Sequence, residues 1–489
     1  MSLRICHIAA EVAPFSKTGG LADVCGALTK YLHAAGHEVR VFTPLYSVID
    51  RTALDDQPIA GLQNLPLELG SHRYRYSVRA ARVPGTRAAV HFIDCPALYA
   101  RERIYTSDPD EHLRYIALTR AAIECCQRLG FGPQILHAHD WHASFAPLFL
   151  QVAYGWDALF KHTRSVLTIH NIGYQGVFAA SAVADLGLGA RIDRLHQDDL
   201  RAGHINALKH GILYADAITT VSPTYAAEIR TAEYGMGLQE VLKARGAAVC
   251  GILNGVDYEV WDPRSDRYLP SHFDAAHLEI KAALKQEFLK RCELKVRAGA
   301  PLVGFVSRMA AQKGFDLTFD VLPRALLSQD FALVGLGSGE RRYEEFFAKL
   351  QARFPGRVLF HRGYSDELAH WIEAASDLFL MPSKYEPCGL NQMYSLRYGT
   401  VPLVRRTGGL ADTVASYDRA TGRGTGIVFD DFSAAAFAQA LQSAIELYGE
   451  PDHWRELVAN GMREDFSWQR QAGLYVELYE RLARGATET

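Results

Sequence analysis

Lys17-Thr18-Gly19-Gly20-Leu21-Ala22-Asp23-Val24 and Arg406-Thr407-Gly408-Gly409-Leu410-Ala411-Asp412-Thr413 share six consecutive residues, and one copy lies near each end of a 489-residue chain. Each copy follows an apolar run that reads as a strand, Ile5 to Ala10 and Val401 to Val404, and precedes a stretch with helical spacing. Each is therefore read as a glycine turn entering a helix, where first-turn N–H groups point at an anion. Two such turns, one in each half, predict two doubly wound α/β domains facing each other across a deep cleft, with a phosphate-bearing ligand between them.

Working outward, strand-like and helix-like segments alternate, as parallel doubly wound sheets require. Strands are expected at Ile5–Ala9, Glu38–Thr43, Ile135–His139, Val166–Ile169 and Ala217–Val221, with helices such as Leu21–Ala35 and Glu111–Leu129 between them. From Ile59 to Asp94 short alternating segments predict inserted antiparallel hairpins. The second half repeats the plan with Leu302–Val306, Phe331–Leu336, Val358–Phe360, Leu378–Met381 and Val401–Val404. The turn-rich stretch Gly251 to Asp257 puts a boundary near Cys250, giving domains 1–249 and 250–465. In 466–489, Trp468, Leu474, Tyr475, Leu478, Tyr479 and Leu482 form a helical stripe, read as a last helix that either returns to the first domain or caps the second, with the return taken as the expectation.

Composition narrows the function classes. The chain is 48% hydrophobic, enough for two sizeable cores, and its 52 basic and 55 acidic residues are interspersed, which leaves no basic stripe for nucleic acid. Its eight cysteines show no CxxC pair and no disulfide spacing. The apolar start is interrupted at Glu11, too early for a secretory leader, and no apolar run approaches the roughly 20 residues of a membrane span. A reduced, cytoplasmic protein is expected.

Candidate chemistry gathers at strand ends, where open α/β sheets bind ligands. After Leu378–Met381 comes Pro382-Ser383-Lys384-Tyr385-Glu386-Pro387-Cys388-Gly389-Leu390-Asn391. Glu386 is suited to accept from sugar hydroxyls, and the N–H groups of Gly389, Leu390 and Asn391, at the start of a helix, are suited to a phosphate. After Leu302–Val306, Arg308 and Lys313 place two cations together, as a departing diphosphate requires. Gly335-Leu336-Gly337-Ser338-Gly339 reads as a glycine loop open to a nucleotide, a weak signal by itself. In the first half, His137-Ala138-His139-Asp140-Trp141-His142 and His170-Asn171 end strands. The histidines lack a complete tetrahedral set, so no metal is expected, and Asp140 and His170 are read as hydroxyl-binding groups. Trp141 and Tyr99 are read as packing or stacking surfaces, and Lys17 as a group reaching toward phosphate or an incoming hydroxyl.

These motifs, with Asn254-Gly255-Val256-Asp257 and Arg405-Arg406 before the second glycine turn, occur in the order found in bacterial glycogen synthases and plant starch synthases, and the chain resembles that family over nearly its whole length. The resemblance implies two Rossmann-like domains in the GT-B arrangement, transfer of glucose from ADP-glucose to an α-1,4-glucan with retention of configuration, and no cofactor or metal. It also implies roles. Arg308 and Lys313 neutralise the leaving diphosphate, and Glu386 and His170 hold the donor glucose. Asp140, Asn171 and Asn254 complete the cleft, while Lys17, Gly19, Gly20 and Asp23 form a loop closing over donor and acceptor. Tyr364 neighbours the adenine, Tyr99 lies on the substrate side, and Cys388, Gly389, Leu390 and Asn391 line the phosphate. Asn391 stands where threonine is common in the family, and Tyr394 where related retaining enzymes carry a second glutamate. The alternatives are a UDP-glucose enzyme, a transferase to another acceptor, a non-catalytic nucleotide-sugar or glucan binder, and a phosphorylase, which would need a pyridoxal cofactor.

Overall fold

The computed structural model describes residues 2–52, 54–297 and 299–487. The chain forms two units: Met1–Gly255 with Trp468–Thr489, and Val256–Ser467.

The first unit contains β1 (Arg4–Ile8), β2 (Glu38–Pro44), β3 (Gln57–Pro58), β4 (Leu65–Leu69), β5 (His72–Arg82), β6 (Ala89–Asp94), β7 (Ile135–His139), β8 (Arg164–Ile169), β9 (Val177–Ala179), β10 (His204–Asn206), β11 (Ala217–Thr220) and β12 (Val249–Gly251). Its large sheet runs β12-β11-β8-β7-β1-β2-β6-β5-β3, with β4 beside β5. The strands from β12 to β6 pair in parallel, whereas β3, β4 and β6 pair with β5 antiparallel, which makes 57–94 the hairpin region. Because β1 and β7 are neighbours whose onward connections leave in opposite directions, their C-terminal ends are the switch point where such sheets open a crevice. The helix Trp468–Thr487 packs on the helix Gly20–Ala34 and on β8.

The second unit contains β13 (Leu302–Met309), β14 (Ala332–Gly339), β15 (Val358–Arg362), β16 (Leu378–Met381), β17 (Val401–Arg405) and β18 (Ile427–Phe429), all parallel, in the order β15-β14-β13-β16-β17-β18. Its switch point lies between β13 and β16. Side chains alternate between two cores, as a period of two demands. Val303, Phe305, Leu333, Leu378 and Leu380 face one helix layer, and Leu302, Val334, Phe379 and Met381 face the other.

Two expectations change. The stretch 250–255 belongs to the first unit, because β12 pairs with β11 from Ile218↔Val249 to Thr220↔Gly251. The glycines of 335–339 are not a loop but part of β14. A Cβ on Gly335 would overlap the Phe305 ring, and one on Gly337 would overlap the Ser307 carbonyl oxygen. Their lack of side chains serves strand packing rather than a nucleotide.

Candidate active site

In the first unit the candidates stand just beyond the strand ends. Asp140 follows β7 in a left-handed conformation (φ 54°) that a short polar residue tolerates better than a bulky one. From there its Oδ1 accepts the backbone N–H of His170 at 2.7 Å and of Asn171 at 3.5 Å, so the carboxylate ties the end of β7 to the end of β8. Burial pushes the Asp140 carboxyl up to about 7, against the two amide bonds that favour its charge. His170 is 9% exposed, and burial lowers its imidazole to about 3, so it is neutral at pH 7. Its Nε2 lies 3.1 Å from His139 Nδ1. The Asn171 side chain accepts the Gly173 N–H at 2.9 Å, forming a local turn. Asn254, beyond β12, is buried, and its Oδ1 has no hydrogen-bond partner among the described residues.

Two aromatic expectations are corrected or narrowed. Tyr99 is not a substrate surface: it is fully buried, its hydroxyl donates to the Arg114 carbonyl at 2.7 Å, and its ring meets Tyr46 edge-on. Trp141 packs edge-on against Tyr115 at 4.9 Å, and a Cβ on Gly176 would overlap its ring.

The histidines form a group of their own. His7 and His137 are direct partners in the β1–β7 register, and His139 lies two residues on along the same face of β7. One nitrogen of each lies within 4.8 Å of the others, a convergence in which His7 was not foreseen. His137, however, has both nitrogens engaged, Nδ1 with the Tyr479 hydroxyl at 2.6 Å and Nε2 with Thr168 Oγ1 at 2.5 Å. A metal ion would have to break one of these bonds, so the trio is better suited to hydrogen bonding than to ligation.

At the first glycine turn the N–H groups of Thr18 and Gly19 are committed to a side chain. The buried Glu11 carboxylate accepts from the Thr18 backbone N–H, from Thr18 Oγ1 at 2.8 Å and from the Tyr105 hydroxyl. Burial raises the Glu11 carboxyl, and the bonds from Tyr105, Thr18 and the Gly19 amide oppose the rise. Lys17 and Asp23 pair at 2.8 Å on the exposed rim of the turn, ahead of and within the helix Gly20–Ala34.

In the second unit, the ends of β13 and β16 bring charges together. Glu386 is 5% exposed, and its Oε2 accepts from Lys313 Nζ at 2.6 Å and from Ser383 Oγ at 3.0 Å. Lys313 ends a short 3-10 turn, Ala311–Lys313, closed by Gly314 at φ 70°. A Cβ on Gly314 would overlap the Pro382 carbonyl oxygen, so glycine is what lets the lysine turn approach the glutamate loop. Arg308 does not share that turn; it is still on β13, exposed, opposite Ser338 in the register.

The glutamate loop is clamped by main-chain bonds. The Lys384 N–H donates to the Gln312 carbonyl at 2.9 Å, and Gln312 Nε2 donates to Tyr385 O at 3.3 Å. From the second glycine turn, the Gly409 N–H donates to Glu386 O at 3.0 Å and Pro387 O at 3.2 Å. That amide is therefore committed to the loop rather than to an anion. Gln392, fully buried, donates to Cys388 O at 3.1 Å, Gly389 O at 3.0 Å and Thr413 Oγ1 at 3.1 Å. The helix begins at Asn391 rather than at Gly389, with Leu390 before it. Asn391 Nδ2 donates to Val306 O at 2.6 Å, which fastens the loop to β13, and Cys388 is buried. Tyr364 is 63% exposed, and its hydroxyl donates to Asp366 Oδ1 at 2.6 Å. Ser383, Gln392, Glu11 and His139 were not anticipated as site residues; only the position of Ser383 and Gln392 beside the glutamate motif pointed to them.

Comparison with known proteins bears on the family. Residues 4–244 match the family model of the starch synthase catalytic domain, and residues 287–460 match that of the glycosyl transferases group 1. A glycogen synthase from Koribacter versatilis is 43% identical over 484 residues, 98% of each chain. One from Anaeromyxobacter dehalogenans is 44% identical over 486 residues, 98% of this chain and 100% of the relative. Among solved structures, the catalytic domain of starch synthase IV from Arabidopsis thaliana, bound to ADP and acarbose, superposes with a TM-score of 0.91 at 34% identity, covering 99% of this chain and 100% of that one.

Proposed function

The chain belongs to the glycogen and starch synthase family of GT-B glucosyltransferases, and from that premise we propose that it transfers glucose from ADP-glucose to the non-reducing end of an α-1,4-glucan with retention of configuration. The observation that carries the reading is the Lys313–Glu386 pair at the β13/β16 switch point, with Arg308 near the end of β13. A protein that only binds a nucleotide-sugar has no need of cations placed to stabilise a leaving group. Arg308 and Lys313 take the charge of the departing diphosphate. Glu386 and the neutral His170 hold the glucose, and Asp140, Asn171 and Asn254 orient it through hydroxyls. The amides of Gly389, Leu390 and Asn391, beside Cys388, hold phosphate, and Tyr364 borders the base. Lys17, Gly19, Gly20 and Asp23 form the loop that shields the reaction from water. The second unit is thus the donor side and the first the acceptor side.

Retention by double displacement needs a carboxylate nucleophile on the far face of the sugar. Glu386 Oε2 is bound to Lys313 and Ser383, and Asp140 Oδ1 to two backbone amides, and neither carboxylate is assigned to that face. The reading is therefore a front-face substitution. The C1–O bond to the diphosphate breaks, the C1–O4 bond to the acceptor forms on the same face, and the acceptor's 4-hydroxyl proton passes to the leaving phosphate oxygen, giving ADP and a glucan one residue longer. Among the described residues no disulfide joins the cysteines, and six of the eight are buried, which supports a reducing compartment, the cytoplasm. Among the described residues no helix is long and apolar enough to cross a membrane.

The test is incorporation of labelled glucose into glycogen from ADP-glucose and UDP-glucose in parallel. Incorporation from ADP-glucose that Glu386→Ala abolishes is the expected result, while preference for UDP-glucose would revise the donor, and none from either would favour a binding protein or another acceptor. Arg308→Ala and Lys313→Ala are expected to lower kcat about 10²–10³-fold with little change in donor KM. Equal losses in both parameters would count against leaving-group stabilisation.

A further inference from the structure

We propose that His139 is a positioning residue that fixes the tautomer of His170, so that His170 presents an Nδ1–H donor, rather than a lone pair, to an oxygen of the sugar donor. The proposal rests on the sugar-side role of His170 given above. Both imidazoles are buried, and burial lowers both pKa values, His139's well below the usual histidine range, so both are neutral at pH 7. A hydrogen bond between two neutral imidazoles holds one proton, and the 3.1 Å approach of His139 Nδ1 to His170 Nε2 therefore has two forms.

In one form His170 donates from Nε2. His139 must then carry its proton on Nε2, which is buried without a partner among the described residues. In the other form His139 donates from Nδ1, its buried Nε2 is a lone pair, and His170 carries its proton on Nδ1. A buried donor without an acceptor is the rarer and costlier defect, so the second form wins. The rest of the ladder holds His139 in place. His137 packs against it with the rings tilted by 33° and their centroids 4.1 Å apart, and His137 is itself fixed between Thr168 and Tyr479 of the C-terminal helix. The donor from His139 is thereby aimed across from the end of β7 at the residue that follows β8. The lowered pKa of His170 keeps that residue a neutral donor over the working range.

The test uses the full chain. In protein labelled with ¹⁵N-histidine, with His170 assigned by its loss in His170→Ala, the Nδ1–H tautomer is expected in the wild type and a mixed state in His139→Phe. Nε2–H in the wild type would overturn the proposal, and this readout is independent of catalysis. In kinetics, His139→Phe is expected to lower kcat about 10- to 100-fold. His139→Asn, whose side-chain amide reaches the Nδ1 position, should restore most of it. Adding His139→Phe to His170→Ala should cost nothing further; additive losses would make His139 a packing residue and overturn the proposal. If His170→Ala alone leaves turnover intact, the sugar-side role of His170 falls, while the tautomer measurement still decides what His139 does.

Discussion

Thr18–Asp23 and Thr407–Asp412 spell the same six residues and each leads into a helix, yet Gly19 is extended where Gly408 has φ 44°, and the two copies are satisfied by different neighbours. At the first copy a side chain comes to the turn: Glu11 takes the Thr18 amide and hydroxyl, with Tyr105 bound to the same carboxylate. At the second copy a backbone comes to the turn, and the Glu386 and Pro387 carbonyls take the Gly409 amide. A carboxylate titrates and sits on a flexible side chain, whereas a main-chain carbonyl does neither. The first copy is thus a releasable anchor for an exposed loop, and the second is a fixed brace beneath the residue assigned to the donor sugar. Identical strings do not have identical jobs, because what the glycines permit is close approach, and the neighbour that approaches decides the rest.

The sharpest way to break this comparison is to add one methyl group to each copy. Gly408 has φ 44°, and a Cβ there would overlap the Glu386 carbonyl oxygen; a Cβ on Gly409 would overlap that of Cys388. Gly408→Ala carries both backbone strain and steric overlap, and is expected to cost about 3 kcal/mol or more and to lower turnover with it. Gly19 is extended and has nothing within 4 Å of the added atom, so Gly19→Ala should change stability by less than about 0.5 kcal/mol. Urea unfolding of the two variants reads the contrast, and comparable costs would mean that the copies are held alike.

How far the sequence carried depended on range. Ile135–His139 and Leu378–Met381 are found where apolar runs and flanking turns placed them, because strand signals are local. The three-residue strands Val249–Gly251 and Ile427–Phe429 are too short to show a period, and missing the first of them drew the unit boundary a few residues early. Tyr99 reads as a surface aromatic until the Arg114 carbonyl, 15 positions away, is seen to take its hydroxyl. Glu11 reads as a break in an apolar strand, since one of its partners, Tyr105, lies 94 positions on. The Glu386 motif was legible as chemistry, but the brace from Gly409 was not, because nothing in the string distinguishes a glycine turn facing an anion from one facing a carbonyl.

A gentler probe acts on the anchor. Glu11→Gln keeps an acceptor for Thr18 but removes the group that takes up a proton in the folded state, and a cost of about 1–2 kcal/mol is expected near pH 5. The folded-state carboxyl of Glu11 is raised, so the native protein binds a proton there more readily than the unfolded chain. The stability tied to this protonation is present below the unfolded value and is lost as pH rises through the folded one. Glutamine does not titrate. The cost of the substitution should therefore shrink from pH 5 to pH 8 in thermal unfolding, and a cost that grows with pH would show a carboxylate stabilised in its charged form.

The smallest effect on folding is expected at Lys17. Its pair with Asp23 is 2.8 Å long, but the two side chains are 47% and 32% exposed, so water screens the attraction, and Lys17→Ala should cost less than about 0.5 kcal/mol. The corresponding cation of the second copy, Arg406, is tied instead to Asp430 at 2.6 Å, outside its own turn. Lys17 is thus a cation whose partner lies in the helix that follows it, and the role proposed for it has it exchange Asp23 for a phosphate or an incoming hydroxyl at little cost to the fold. Turnover is then expected to fall in Lys17→Ala well beyond what the stability change accounts for, and Asp23→Asn, which removes the competing carboxylate, should alter donor KM more than Tm. A loss of stability above about 1 kcal/mol in Lys17→Ala, with turnover unchanged, would make the pair a structural clasp and would align the first copy with the second.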